Sequence, residues 1–312
     1  MNDLDQLFTI NIDPSKVNQF LSNEYHENFG KQWNRFNKLQ LDSFNGSNES
    51  SDRILNQSEL TKSFFKDKTV LEIGAGNGRF TENLLQWGAK VVAVDFSSAI
   101  NANYENHLDF VGSGSLICVR GDIFDLPISE ESFDIVFCYG VIQHTGNNLR
   151  CMSQLSKYVK PGGSLLIDIY SNSLKHFNPW IYLIRPFFSL LKNEDRKLTL
   201  VESFVNFVFP VQCKILKFLH NKNGIFKWLR FLINRSPNSV YGINLFLDSK
   251  ISLEDARNWS ICDTYDAWSP KHDHPVSFQK WTFLLNTLKR FNIKINKSCG
   301  QGWCALLIKK NV

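Results

Sequence analysis

The chain has 312 residues, of which 43% are hydrophobic and 21% charged, with a net charge of +5. That balance excludes intrinsic disorder, a coiled coil and a collagen-like repeat, and the length allows one large or two small globular domains. Seven cysteines, an odd number with no CxxC pair, exclude a disulfide framework and a zinc site of the paired-cysteine type.

The N-terminal stretch MNDLDQLFTINIDP carries acids where a signal peptide carries basic residues, so a cytoplasmic location is expected. No window of about 18 residues is apolar without an interrupting charge or Pro, and no spanning helix is expected. Tyr25, His26, Phe29, Trp33, Phe36 and Phe44 recur at roughly helical spacing ahead of the polar run NGSNESSD. They predict an N-terminal helical lid over 1–65.

From 69 to 170 short apolar runs alternate with amphipathic segments: TVLEI, NGRFTENLLQWG, KVVAVD, SSAINANYENHL, SLICV, FDIVFCYG, a helix over 147–159, and SLLIDIY after the turn Pro161-Gly162-Gly163. Strands separated by helices of about ten residues predict βαβ units on a parallel sheet, an α/β fold with helices on both faces. Residues 174–250 break the alternation. They carry 14 of the 42 aromatic residues, and 171–250 hold 12 Lys and Arg against 4 Asp and Glu, so the chain's positive charge is concentrated there. This block, punctuated by Pro179, Pro186, Pro210 and Pro237, reads as a helical insertion. A helix near 277–290 and strands at 291–297 and 303–309 close the domain, giving seven strands over 66–312.

The strongest motif is Val70-Leu71-Glu72-Ile73-Gly74-Ala75-Gly76-Asn77-Gly78, a buried strand running into a glycine turn and a helix. Glycines supply the turn dihedrals and let a ligand approach the backbone. The spacing is GxGxG with Arg79 where a dinucleotide site places its third small residue, which disfavours a nicotinamide oxidoreductase. Asp95 ends KVVAVD and Asp122 follows the next strand; each could instead cap a turn. A carboxylate at a strand tip can accept bonds from vicinal hydroxyls.

With the glycine motif, Asp95, Gly121-Asp122-Ile123, FDIVFCYGVIQHT and the Pro161-Gly162-Gly163 turn in this order, the sequence resembles the class I S-adenosylmethionine-dependent methyltransferases over about 69–170. The resemblance implies a Rossmann-like seven-stranded sheet whose last strand is antiparallel, and S-adenosylmethionine as cofactor. It implies that the backbone of Gly74, Ala75, Gly76 and Gly78 cradles the methionine part, with Glu72 helping to orient it. Asp95 would hold the ribose and Phe96 pack on adenine. Asp122 and the Ile123 amide would meet the adenine edge, and Tyr139 and the rest of FDIVFCYGVIQHT would face the transferable methyl.

A hydroxyl acceptor must lose a proton, and His144, in the loop after the fourth strand, is the candidate base because imidazole titrates at about 6.5; a structural hydrogen-bonding role is the competing reading. Residues 263–275, DTYDAWSPKHDHP, read as a non-helical segment. They resemble the substrate-side segment of a subgroup of bacterial sugar and secondary-metabolite methyltransferases, with Trp281 matching a Trp in the next helix and FGKQWNRFNKLQLDS matching its lid. Tyr265, Asp266, His272 and Asp273 are the substrate candidates. His272-Asp273-His274 lacks the further cluster that a metal site needs, so no metal is expected.

The expected function is methyl transfer to a hydroxyl or amine of a small acceptor, a sugar or sugar-linked intermediate, with no nucleic-acid partner. The alternatives are a membrane-associated quinone or lipid-intermediate methyltransferase, an oxidoreductase, and a non-catalytic cofactor binder. The insertion is read as a substrate cap, with docking on an anionic membrane as its rival; a membrane surface would leave Phe226, Trp228 and Phe231 exposed beside Lys222, Lys227 and Arg230.

Overall fold

Segments that are apolar on both faces can be satisfied only inside a sheet covered on both sides. The computed structural model describes residues 3–13, 15–21, 30, 33–173, 178–270, 272–300 and 302–311. It builds those segments into an eight-stranded sheet. The strands are β1 (Asn18–Phe20), β2 (Thr69–Ile73), β3 (Lys90–Asp95), β4 (Leu116–Gly121), β5 (Phe133–Cys138), β6 (Val159–Tyr170), β7 (Phe291–Cys299) and β8 (Gly302–Lys309). Their spatial order is β1-β4-β3-β2-β5-β6-β8-β7, parallel from β1 to β6, with β8 antiparallel to both β6 and β7. The antiparallel last strand is as the resemblance implied. The eighth strand is not: β1 pairs through only three residues with β4, and three residues at a sheet edge leave no alternating pattern to read.

Successive side chains of a strand point to opposite faces, so the sheet feeds two cores. Leu71, Val92, Ile117, Val136 and Leu165 pack on one side, and Val70, Val91, Cys118, Ile135 and Leu166 on the other. The direction of strand progression reverses at β2, which has β3 on one side and β5 on the other, and this switch point opens a crevice beyond the carboxyl ends of the strands.

The chain divides into two compact units. The α/β unit comprises Met1–Asn37, Glu49–His176 and His272–Val312, and the helical unit Lys38–Asn48 and Phe177–Lys271. The lid expected over 1–65 is therefore shared between units, and it includes a strand. Tyr25, His26 and Phe29 lie outside the described residues. Around the sheet run α2 (Glu49–Ser58), α3 (Thr81–Gln86), α4 (Ala99–Asn106), α5 (Leu108–Gly112), α6 (Asn148–Tyr158) and α12 (Phe278–Thr287). Trp281 on α12 is buried in the sheet core.

The helical unit holds α1 (Asp42–Asn45), α7 (Pro179–Leu190), α8 (Glu194–Leu219), α9 (Ile225–Ile233), α10 (Tyr241–Leu247) and α11 (Leu253–Trp268). It extends past the expected limit of 250 because α11 packs on α8 and α10. This corrects the reading of 263–275 as non-helical: residues 263–268 are the last turns of α11. Ser252 starts that helix, its hydroxyl accepting from the Asp255 amide at 3.0 Å and donating to the Asp255 carboxylate at 2.6 Å, a reciprocal cap. Ala256, Trp259, Cys262, Tyr265 and Trp268 are buried along its length. The expectation that no window could span a bilayer also gives way. By length and composition α8 is long and apolar enough to do so, because the helix continues through Pro210.

Candidate functional site

The three glycines of the turn after β2 differ in what surrounds them. All have positive φ, +74° at Gly74, +54° at Gly76 and +97° at Gly78, where side chains are strained. A Cβ on Gly74 would strike Val141, and one on Gly78 would sit 2.5 Å from His107 Cε1 and 2.7 Å from Asn103 Oδ1. A Cβ on Gly76 would meet nothing within 4 Å. Packing requires the outer two glycines, while the middle one fronts open space at the switch point.

Asp95, at the carboxyl end of β3, reaches this turn. Its Oδ2 accepts from the Gly76 amide at 2.9 Å, and its Oδ1 accepts from the Ser97 amide at 2.8 Å and the Ser97 hydroxyl at 2.7 Å. Burial raises the Asp95 pKa, while the Ser97 and Gly76 donors oppose the rise. Asp95 thus performs the turn-capping role and also holds the turn against β3. Asp122 likewise caps, accepting from the Phe124 amide at 2.9 Å at the start of a 3₁₀ turn, Ile123–Asp125, and Ile123 is buried in the core. Phe96 is partly buried, with its carbonyl accepting from Arg120 Nε at 3.4 Å.

Glu72 is 1% exposed. Thr81 Oγ1 donates to its Oε2 at 2.6 Å, and its Oε1 has no partner among the described residues. Burial pushes its pKa up to about 8, and the neighbouring Asp95 adds to the rise. Tyr139, after β5, is buried against Phe137 and Phe80, and its hydroxyl also has no partner among the described residues. Gln143 is wholly buried in the same loop, and neither of its amide atoms has a partner among the described residues. Buried polar atoms are ordinarily hydrogen-bonded, so these orphans, on β2 and in the loop that follows its neighbour β5, fit a polar ligand at that end of the sheet.

His144 ends a 3₁₀ turn after β5, Ile142–His144. Its Nδ1 lies 2.9 Å from the His272 carbonyl, which can only accept, so Nδ1 carries a proton and Nε2 is the basic nitrogen of the neutral ring. Tyr170 meets the ring edge-on at 5.8 Å. The segment bearing His272 and Asp273 is tied to this loop further: the His274 amide donates to the Gln143 carbonyl at 2.9 Å, and Asn148 Nδ2 to the His274 carbonyl at 3.0 Å. His272 and His274 stack at 6.0 Å, and no group of three potential metal ligands occurs among the described residues.

His272 and Asp273 belong to the α/β unit, whereas Tyr265 and Asp266 lie on α11 of the helical unit. Tyr265 is 1% exposed, and its hydroxyl donates to Glu194 Oε2 at 2.6 Å. Its phenol is thereby engaged inside the helical unit.

Two site-edge residues were not foreseen. Arg53 on α2 pairs with Asp168 on β6 at 2.6 Å, and the other Asp168 oxygen accepts from the Gly140 amide in the post-β5 loop. The signal for Asp168 was its isolation: an acid amid SLLIDIY must find a partner when buried. Nothing in the sequence around Arg53 marked it as that partner.

A parallel sheet that reverses at β2, with a GxGxG turn and a strand-tip carboxylate at the reversal, is a Rossmann-like arrangement with a candidate cofactor site at its switch point. Residues 71–167 match the family described as methyltransferase domain. The chain is 34% identical over 106 residues to phosphoethanolamine N-methyltransferase 1 of Triticum aestivum, covering 33% of this chain and 21% of that protein. It is 32% identical over 112 residues to the mitochondrial ubiquinone biosynthesis O-methyltransferase of Schizosaccharomyces pombe, covering 35% and 40%. Other relatives are named tRNA U34 carboxymethyltransferase. The chain thus spans well under two thirds of the relatives it matches. Among solved structures, a SAM-dependent methyltransferase from Aquifex aeolicus aligns over 95% of this chain and 98% of that one, at 12% identity and a TM-score of 0.43.

Proposed function

We propose that the protein transfers a methyl group from S-adenosylmethionine to a hydroxyl or amine of a small acceptor, a sugar or sugar-linked intermediate. The observation that carries the cofactor half is Gly76, with its amide held by Asp95 and open space where a Cβ would stand. The carboxyl groups of Glu72 and Asp95 and the Tyr139 hydroxyl suit a ligand that carries an amine and ribose hydroxyls. When bound, S-adenosylmethionine supplies a methyl already activated on a sulfonium, so the chain need only position, exclude water and manage a proton.

Gly74, Ala75, Gly76 and Gly78 present backbone at close range, and Asp95 and Asp122 offer acceptors at the tips of β3 and β4. His144 Nε2 takes the proton from an acceptor hydroxyl, and the His272 carbonyl on Nδ1 favours the imidazolium that results. His272 and Asp273, strapped to the same loop, supply polar contacts for an acceptor rich in hydroxyls.

The varied acceptors in the names of the relatives make acceptor class the open variable. A lipid-linked acceptor is the second reading, favoured by the apolar surface of the helical unit described below. Titration calorimetry with S-adenosylmethionine and with NAD tests the cofactor, and methyl-transfer assays on nucleotide-sugar, lipid-linked and tRNA acceptors test the class. Binding of NAD in preference to S-adenosylmethionine would overturn the reading.

A further inference from the structure

Helices α8 and α9 of the helical unit expose apolar residues in ordered stripes. On α8 one stripe, Val201, Val205, Phe209 and Leu216, is buried, while a second, Phe207, Val211, Ile215 and Phe218, spaced by four, four and three residues, is exposed. Phe207 is 83% exposed. A helix that needs only one apolar face to pack has no folding reason for two.

α9 repeats the pattern. It has no buried residue. At about 100° per residue, Ile225, Trp228, Leu229 and Leu232 fall within an arc of about 100°, with Lys227 and Arg230 diametrically opposite. All four apolar residues are exposed, Trp228 by 55%. Phe218 and Phe226 meet edge to face at 6.1 Å, joining the end of α8 to the start of α9 in one surface. Cations rim it: Lys222 Nζ stands 3.4 Å above the Phe218 ring and the Arg235 guanidinium 3.6 Å above Phe231.

The charge around this surface selects its occupant. Between Glu202 and Asp248 the chain has no acidic residue and six Lys and Arg. A second copy docked on the face would set like charges against one another, so the partner is anionic. Aromatic and aliphatic side chains standing outward among cations suit a partner that accepts them into an apolar layer under a negative surface. α8 itself does not cross that layer, since one of its faces is committed to the unit's own packing and it carries Lys214 and Lys217.

We propose that the exposed face formed by the C-terminal half of α8 and by α9 docks peripherally on a bilayer surface bearing anionic lipid. The inference does not depend on the methyl-transfer reading, because it concerns the helical unit's surface alone and its readout is membrane partition.

The test is co-sedimentation of the full chain with vesicles of phosphatidylcholine alone and of phosphatidylcholine with about one quarter phosphatidylglycerol. The expected result is pelleting with the anionic vesicles only, with partition falling at least about tenfold as salt rises from about 0.05 to 0.5 M. Lys222→Glu with Arg235→Glu should lower partition about tenfold, and Trp228→Ser with Leu232→Ser should do likewise; Lys294→Glu, on β7, should leave it unchanged. Circular dichroism of each variant separates lost docking from lost folding. Absence of anionic-vesicle binding, or charge-reversed variants that bind as well as the parent while folded, would overturn the proposal. So would protein that stays with the pellet in high salt and alkaline carbonate, which marks a spanning helix, or a dimer abolished by Trp228→Ser, which marks a self-interface.

Discussion

Thr81 donates its hydroxyl proton to Glu72 across 2.6 Å, fastening the first turn of α3 to the strand that precedes the glycine turn. Thr81 in turn accepts from Asn103 Nδ2 at 2.8 Å, and Asn103 Oδ1 faces His107 Nδ1 at 2.9 Å. Burial lowers the His107 pKa, and the Asn103 carbonyl and side-chain oxygens that face Nδ1 at 2.9 Å accept, so Nδ1 carries a proton. The chain of bonds from His107 to Glu72 anchors the turn from beneath.

Stability should fall as pH rises through neutrality. Glu72 ionises near 4.5 when unfolded and at about 8 when folded, so the folded state holds the extra proton between those values. This group's contribution is complete below pH 4.5 and is lost as pH climbs to 8, by on the order of 4 kcal/mol at about 1.4 kcal/mol per unit. Glu72→Gln should flatten that slope in urea denaturation at pH 5 and 8. An unchanged slope would mean that Glu72 is ionised throughout.

The glycines should separate binding from folding. Gly76→Ala should weaken S-adenosylmethionine binding at least about tenfold with about 1 kcal/mol of stability lost to its positive φ. Gly78→Ala should instead lower the melting temperature severely, since His107 and Asn103 occupy the space. Calorimetry and thermal melts on the two variants measure both; full cofactor affinity in Gly76→Ala would show that ligand does not approach there.

His144→Ala should reduce turnover about 10²-fold with cofactor affinity retained. Asn at this position can still donate to the His272 carbonyl but cannot take a proton. A base role predicts that His144→Asn stays inactive, and a positioning role predicts that it recovers.

Asp168→Ala should destabilise by about 3 kcal/mol, because it strands the Arg53 guanidinium and removes the acceptor for the Gly140 amide. Arg53→Met with Asp168→Leu should cost less than Asp168→Ala alone. Equal losses in denaturant titrations would assign the effect to packing.

The strands of the sheet core were legible because burial on both faces forces continuous apolar runs, and the glycine turn because positive φ restricts residue choice. The polar composition of 263–268 concealed that a helix burying Tyr265 and Trp268 continues through it.

What sequence determined by itself is therefore local: strand, turn, charge block and the order of motifs, each set by neighbours within a few residues. Tertiary structure alone decided which glycine fronts open space, that Arg53 meets Asp168 across 115 residues, that His144 is oriented by a carbonyl 128 residues away, and that the second stripe of α8 faces outward. These depend on which distant surfaces meet, and one apolar periodicity is consistent with either a packed face or a bare one.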